Sequence, residues 1–599
     1  MSAEQAGHAT AFGPWNPGLR SQIPAALAHL ATIFRPESVF TTPAEASELA
    51  DLTGLEPAAL VVFRPERLAL HEVLVRVMAD FSVPDGQRIE DLGINFRAIV
   101  RTILARYAEP RMQALVAAYD DARSRIVARV DAELPRLARA SAPAAPRQAD
   151  RWWSAWRRRP SPPSPPEPGG TSWDPAVVAE WEARAHGAAD ALDRAACRAL
   201  ARVVTALLTR HGRPWGTSEM IARLATGLAC NDAAGDRIGD ALEPMLAEAA
   251  EREGFRRLPP QDRPVVMNTK GASASGKSTL RPLQRGLAAR IGVDWAEFAL
   301  ISPDIWRKQL LDYGSLGDAY KYAGAFTGDE VALIDRKLDR YMARKAQAGE
   351  MTHLLIDRFR FDSFAPDSDE AGSNLLTRFG ELVYLFLMIT PPASLVERAW
   401  RRGLEVGRYK AVDDVLAHAI EAYGGMPGLF FTWANRTDKR VHFEFLDNSV
   451  AQGERPRTVA FGWNDALHVL DVGAMLDVER FRRVDVDAAG PEALYPDRAL
   501  LAPERNTGFL VECVRRFREV NFADQATGRI YAHFESGRLA WIDSEALARA
   551  ATDPDVRAAL LAAAPDALSG ASPAPEGPIY LREHARAQPI HTLGAWGPT

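Results

Sequence analysis

Residues 264–278 read Pro-Val-Val-Met-Asn-Thr-Lys-Gly-Ala-Ser-Ala-Ser-Gly-Lys-Ser. The first half is a short β-rich run, as expected for a strand buried on both faces. The second half, Gly271 to Ser278, matches GxxxxGK[ST]. A helical run, Thr279-Leu-Arg-Pro-Leu-Gln-Arg-Gly, follows directly. Strand, glycine loop and helix in that order make a phosphate-binding loop, or P-loop. Gly271 and Gly276 let the backbone curl, so that N–H groups of Ser273, Ser275, Gly276, Lys277, Ser278 and Thr279 can face phosphate oxygens. The helix N-terminus adds its partial positive charge. Lys277 reaches the β- and γ-phosphates, and Ser278 can ligate Mg²⁺.

Further β-rich runs follow at 298–304, 352–359, 382–390 and 441–448, with helical runs between them. The spacing leaves room for right-handed crossovers. This predicts an α/β fold with a doubly wound parallel sheet over residues 260–450. Ligands of such sheets bind at the carboxyl ends of the strands, so the residues there are the candidates for chemistry. The second strand ends at Ser302-Pro-Asp304. Asp304 is read as the acceptor of a proton from a substrate hydroxyl, or as a holder of Mg²⁺ through water, and Arg307 as a neighbour facing the same crevice. The third strand ends Leu-Leu-Ile-Asp357-Arg358-Phe-Arg360. Apolar residues closed by an acid place Asp357 beside the P-loop, as a second Mg²⁺ ligand or a substrate contact. Arg358 and Arg360 are read as substrate-phosphate contacts, because a planar guanidinium suits that geometry. Residues 394–425 carry Arg398, Arg401, Arg402, Arg408 and Lys410 in one short stretch. This predicts a basic lid, with Gly403 and Gly407 as hinges and Arg402 and Arg408 as the catalytic cations.

Outside this core the texture differs. Residues 13–140 and 175–255 repeat apolar residues at three- and four-residue spacing and are predicted helical, with a break at Pro110 and a stop at Gly212 before Pro214. Between them, 141–174 is a proline-rich linker. It contains Trp152, Trp153 and Trp156 beside a run of Arg, read as docking onto a neighbouring domain in preference to inserting at a membrane surface or binding nucleic acid. Residues 451–599 form a mixed α+β extension, with a hairpin near Glu535-Ser-Gly537, a helix over 544–565 and a Gly/Pro/Ala-rich tail from Leu568.

The whole chain fits this division. Its 599 residues imply roughly three to five domains. A net charge of −6 excludes a chain built throughout to coat nucleic acid. Cys197, Cys230 and Cys513 form no CxxC motif, and an odd count of three predicts no disulfide framework and a reducing compartment. The start has no signal-like pattern. The longest clear apolar run, Leu382 to Ile389, is far short of the about 20 residues of a spanning helix. Together these predict a cytoplasmic protein with no membrane span.

The P-loop, the Asp304/Arg307 pair, the acid-plus-Arg end of the third strand, the Arg-rich lid and the closing Phe445-Leu-Asp-Asn-Ser449 resemble the zeta toxin family of P-loop kinases over about 262–450. The resemblance implies γ-phosphoryl transfer from ATP or GTP, with Mg²⁺, to a hydroxyl of a small substrate, typically a UDP-activated amino sugar. It implies Asp304 as general base, Lys277 and the lid arginines as phosphate clamps, and Asp357 as an aid to Mg²⁺ or substrate. In that family the acid of the third strand is usually Glu followed by Gly-Thr. The 271–279 loop is also similar to that of uridine-kinase-like enzymes, which implies a nucleoside acceptor. Zeta-type toxins are held by a small helical antitoxin, sometimes fused, so 175–255 is a candidate inhibitor in cis. Two other readings are a kinase for polynucleotide 5′-hydroxyl ends, with nucleic acid as a partner, and a nucleotide-binding switch that moves the helical domains without an acceptor.

Overall fold

Five of the strands are apolar enough to be buried on both faces, and they pair in parallel. In the computed structural model, which describes residues 12–139, 175–358, 375–565, 577–584 and 588–598, these are β1 (Val265–Lys270), β2 (Phe298–Ile301), β3 (His353–Asp357), β4 (Leu382–Ile389) and β5 (Arg440–Asp447). Every residue of β1 and β2 is buried, as is nearly all of β4 and β5. Their order across the sheet is β5-β4-β1-β3-β2. The chain moves from β1 out to β2, returns through β3, and then crosses to the other side of β1 to form β4. Strand order therefore reverses around β1, which makes its carboxyl end the switch point where such sheets take ligands.

The sheet does not stop at residue 450. β6 (Arg457–Trp463) pairs antiparallel with β5, and β7 (Ala466–Val469), β8 (Glu519–Ala523), β9 (Ile530–Glu535) and β10 (Arg538–Ile542) continue it to ten strands. The overall architecture is mixed α/β with a ten-stranded, mostly parallel sheet. The predicted hairpin is β9–β10. Its two-residue turn, Ser536-Gly537, has φ of 51° and 78°, the left-handed pair that matches strand twist. The predicted helix over 544–565 is two helices, Ser544–Ala550 and Pro554–Ala563. The Gly/Pro/Ala-rich tail is tied to the sheet where it is described. Leu593 and Gly594 donate their N–H groups to Glu444 at 2.7 and 2.9 Å, and Ala595 bridges to Arg457.

The chain forms two compact units. One comprises 1–28, 74–102 and 249–599 and holds the whole sheet. The other comprises the described residues of 29–73 and 103–248, and these are helical. Its helices include Met112–Arg139, Pro175–Gly187, Ala191–His211 and Ser218–Ala229. Ala191–His211 is capped by the Asp190 side chain and ends at Gly212 in the left-handed conformation. Around Pro110 the chain leaves α-geometry for a π-turn and a 3₁₀ turn, so the predicted break is there. The expectation of one N-terminal helical domain over 13–140 is corrected, because 74–102 packs in the sheet unit. A boundary at 450 is corrected too, since β5 and β6 share hydrogen bonds. The linker at 141–174 lies outside the described residues. Cys197, Cys230 and Cys513 are buried free thiols. Among the described residues no helix is long and apolar enough to cross a membrane.

Candidate functional site

The site begins where β1 ends. The 271–278 loop turns tightly because Ala274 and Gly276 adopt φ of 65° and 94°. A left-handed alanine carries backbone strain, which the surrounding loop must hold. Asn448, just past β5, holds it from one side by donating from Nδ2 to the Ser275 carbonyl at 2.7 Å. A Cβ at Gly276 would lie 2.3 Å from that same Nδ2, so only glycine fits. The Lys277 ammonium folds back over the loop onto the Gly271 and Ala272 carbonyls, both at 3.0 Å. Burial lowers its pKa, against the pull of Asp357 and Asp304. Ser278 Oγ donates to Asp357 Oδ2 at 2.6 Å. Thr279 is exposed and bonds the Gly276 carbonyl, Ser273 is half-buried on the loop, and Ser275 is buried beneath it.

Ser278 and Asp357 thus converge from β1 and β3. One hydroxyl and one carboxylate are hard oxygen donors, the set Mg²⁺ takes when it keeps several waters. The predicted pair fits that ion. Arg281, one turn beyond Ser278, approaches Asp357 at 3.7 Å with its side chain almost wholly buried. Arg281 lies outside the P-loop motif, but its spacing of three from Ser278 puts both on one helical face.

A second cluster stands at the end of β2. Asp304 lies in the 3₁₀ turn Pro303–Trp306 and keeps 51% of its side chain exposed. Its two oxygens accept from different cations: Oδ1 from Arg307 Nε at 2.9 Å and Oδ2 from Arg408 at 2.7 Å. The protein crowded around it removes some water and works to raise its pKa, but the Arg408 and Arg307 guanidiniums outweigh this and hold the group well below the usual carboxylate range. Arg307 is itself fixed by the Gly324 carbonyl and Thr327 Oγ1 at 2.6 and 2.9 Å. Arg402 donates to the Arg408 carbonyl at 3.3 Å. Burial, followed by repulsion from Arg408, pushes its guanidinium down to about 10. Lys410, bonded to His418 and paired with Asp414, is pushed down by burial to about 8. Burial, then Lys410, pushes His418 to about 2, so its imidazole stays neutral. The cations Lys277, Arg307, Arg402, Arg408 and Lys410 therefore share one field with Asp304, Asp357 and Asp414. Cations outnumber acids, and such a surplus suits an anionic ligand.

The basic stretch divides between two tasks. It lies on helix Pro392–Val406 and the turn leading to helix Val412–Ala434. Of the two cations assigned to the lid, Arg408 pairs with Asp304 and Arg402 bonds the Arg408 carbonyl. Arg398 instead bonds the Asn448 and Val450 carbonyls, and Arg401 bonds Gln452. Gly407 is a left-handed helix cap at φ 72°. Gly403 is a packing position rather than a hinge, because a Cβ there would lie 2.4 Å from the Tyr409 ring.

One predicted contact is corrected. Arg358 does not join the site. Its side chain is 1% exposed and pairs with Asp335 and Asp339 of helix Gly328–Gln347, at 2.6 and 2.5 Å. Asp357 closes β3 and accepts from Ser278, whereas Arg358, the first residue past the strand, turns to that helix. Arg360 lies outside the described residues. A cavity of about 530 Å³ in the helical unit, lined by Phe40, Tyr119, Arg123 and Arg223, contains none of the predicted residues. Comparison with protein-family models, curated proteins and solved structures gives no match to this chain.

Proposed function

We propose that this is a P-loop kinase that transfers the γ-phosphoryl group of ATP or GTP to a hydroxyl of a small acceptor, in the manner of the zeta toxin family. A UDP-activated amino sugar is the acceptor class that resemblance suggests. The observation that carries the reading is Asp304, held between Arg307 and Arg408 in the same charge cluster as Lys277. A loop that only binds nucleotide has no need of a carboxylate so placed.

The 271–278 backbone and Lys277 would bind the β- and γ-phosphates. Ser278 and Asp357 would hold Mg²⁺, which neutralises phosphate charge when bound. Arg402 and Arg408 would meet the γ-phosphate and the charge that grows on it. Phosphoryl transfer asks little covalent chemistry of a protein, so positioning and charge carry the rate. As phosphate oxygens compete for Arg408, Asp304 loses a cation that depresses its pKa. It then becomes a better acceptor for the substrate hydroxyl proton.

Two variants separate binding from transfer. Lys277→Ala is expected to lose both. Asp304→Asn is expected to abolish transfer while leaving nucleotide affinity within about tenfold. Equal transfer by Asp304→Asn and the parent would remove Asp304 from the chemistry.

A further inference from the structure

The C-terminal half of the sheet gathers a set of side chains that phosphoryl transfer does not use. His468 on β7, Asn521 on β8 and His533 on β9 stand directly opposite one another across three neighbouring strands. Glu519 lies two residues before Asn521, hence on the same face. His584 closes the short helix Leu581–His584 and reaches back to Glu519, Nε2 to Oε1, at 2.8 Å. One ligand atom each from Glu519, His533 and His584 lies within 4.8 Å of the other two.

We propose that Glu519, His533 and His584 form a site for one divalent transition-metal ion of the zinc class. Two imidazoles and a carboxylate are borderline donors that suit zinc, cobalt or nickel rather than magnesium. A metal about 2.0–2.2 Å from each donor needs ligand atoms roughly 3–3.6 Å apart, and the observed grouping reaches that with small side-chain turns.

The surroundings are built to orient these donors. Asn521 is fully buried and uses its whole amide on the cluster. Its Nδ2 donates to Glu519 Oε1 at 2.7 Å and contacts His468 Nδ1 at 3.1 Å. Its Oδ1 lies 2.7 Å from His533 Nδ1. An amide oxygen can only accept, so His533 carries its proton on Nδ1 and keeps the Nε2 lone pair for a ligand. Trp541 stacks on the His533 ring at 5.2 Å and limits its rotation. Three protein donors leave a fourth position for water or an outside group. Because His584 comes from a different segment than the strands, the ion would tie residues 577–584 to the sheet.

The test uses the untagged full-length chain, stripped with a chelator and then titrated with Zn²⁺ and, separately, Co²⁺. The expected result is one equivalent bound at micromolar affinity or better, a higher thermal midpoint, and a visible Co²⁺ band of four- or five-coordinate strength. Mg²⁺ should give none of these. His533→Ala and His584→Ala should each weaken binding by about 100-fold, and Asn521→Ala by about 10- to 100-fold. His584 is exposed and outside the strands, so its variant should fold even if a strand variant does not. No binding tighter than millimolar, or binding unchanged in His584→Ala, would overturn the proposal.

Discussion

Lys410 offers a residue-level test through pH. Its folded pKa, about 8, lies below the 10.5 of an exposed lysine, chiefly because it is buried. Between those values the unfolded chain holds the proton and the folded chain has lost it. This group therefore adds stability as pH rises through that window. Anion binding has the opposite sign, because it favours the charged ammonium. Affinity for a nucleoside triphosphate should fall as pH rises above about 8, by up to about tenfold per unit, and the fall should be shallower in Lys410→Met. A titration series of parent and variant with identical pH profiles would exclude Lys410 from the anion site. At this scale the sequence was informative where side chains follow a motif. Ser278 bonds Asp357, the acid at the end of the third apolar run, and Lys277 feels the same carboxylate. Arg358 was not legible in this way, because a basic residue next to a strand-end acid looks the same in one dimension whether it faces a ligand or, as here, Asp335 and Asp339.

Among the elements, the loop after β1 depends on its neighbour beyond β5. Gly276 sits at φ 94° with Asn448 against its missing Cβ. Gly276→Ala should abolish nucleotide binding, followed by calorimetric titration, while the thermal midpoint moves little. A variant that binds like the parent would show that the loop has slack the geometry does not suggest. The five parallel strands were legible because burial on both faces demands nearly continuous apolar runs. β6, β7 and β8 were missed although they are nearly all buried too, because Gly462, His468 and Asn521 interrupt their apolar pattern. The Asn464-Asp465 pair between Trp463 and Ala466 was the available turn signal. The partners of Asp304 were only half visible. Arg307 is three residues away, while Arg408 arrives from 104 residues downstream.

For the whole molecule, the helical periodicity of the N-terminal residues was readable, but not which body each helix joins. Asp80 shows the consequence. It pairs with Lys345 at 2.6 Å and accepts from Tyr341 at 2.6 Å, and both ions of the pair are buried in the sheet unit. Asp80→Ala strands a buried ammonium and should cost about 3–5 kcal/mol, read by denaturant unfolding. A loss under about 1 kcal/mol would mean that Lys345 finds another partner. A chain shortened to residue 256 onward lacks Asp80 and the rest of 74–102. It is therefore a poor test of whether 175–255 inhibits in cis, because it removes part of the sheet unit itself. That question is better put to the full chain. The most direct measurement of the central claim is transfer of labelled γ-phosphate from ATP and GTP by the intact protein. The acceptors would be UDP-amino sugars, nucleosides and 5′-hydroxyl oligonucleotides, with Lys277→Ala and Asp304→Asn alongside. A labelled small-molecule product that disappears in both variants is the expected result. Nucleotide bound tightly with no labelled product from any acceptor, or a product that persists in Asp304→Asn, would contradict it.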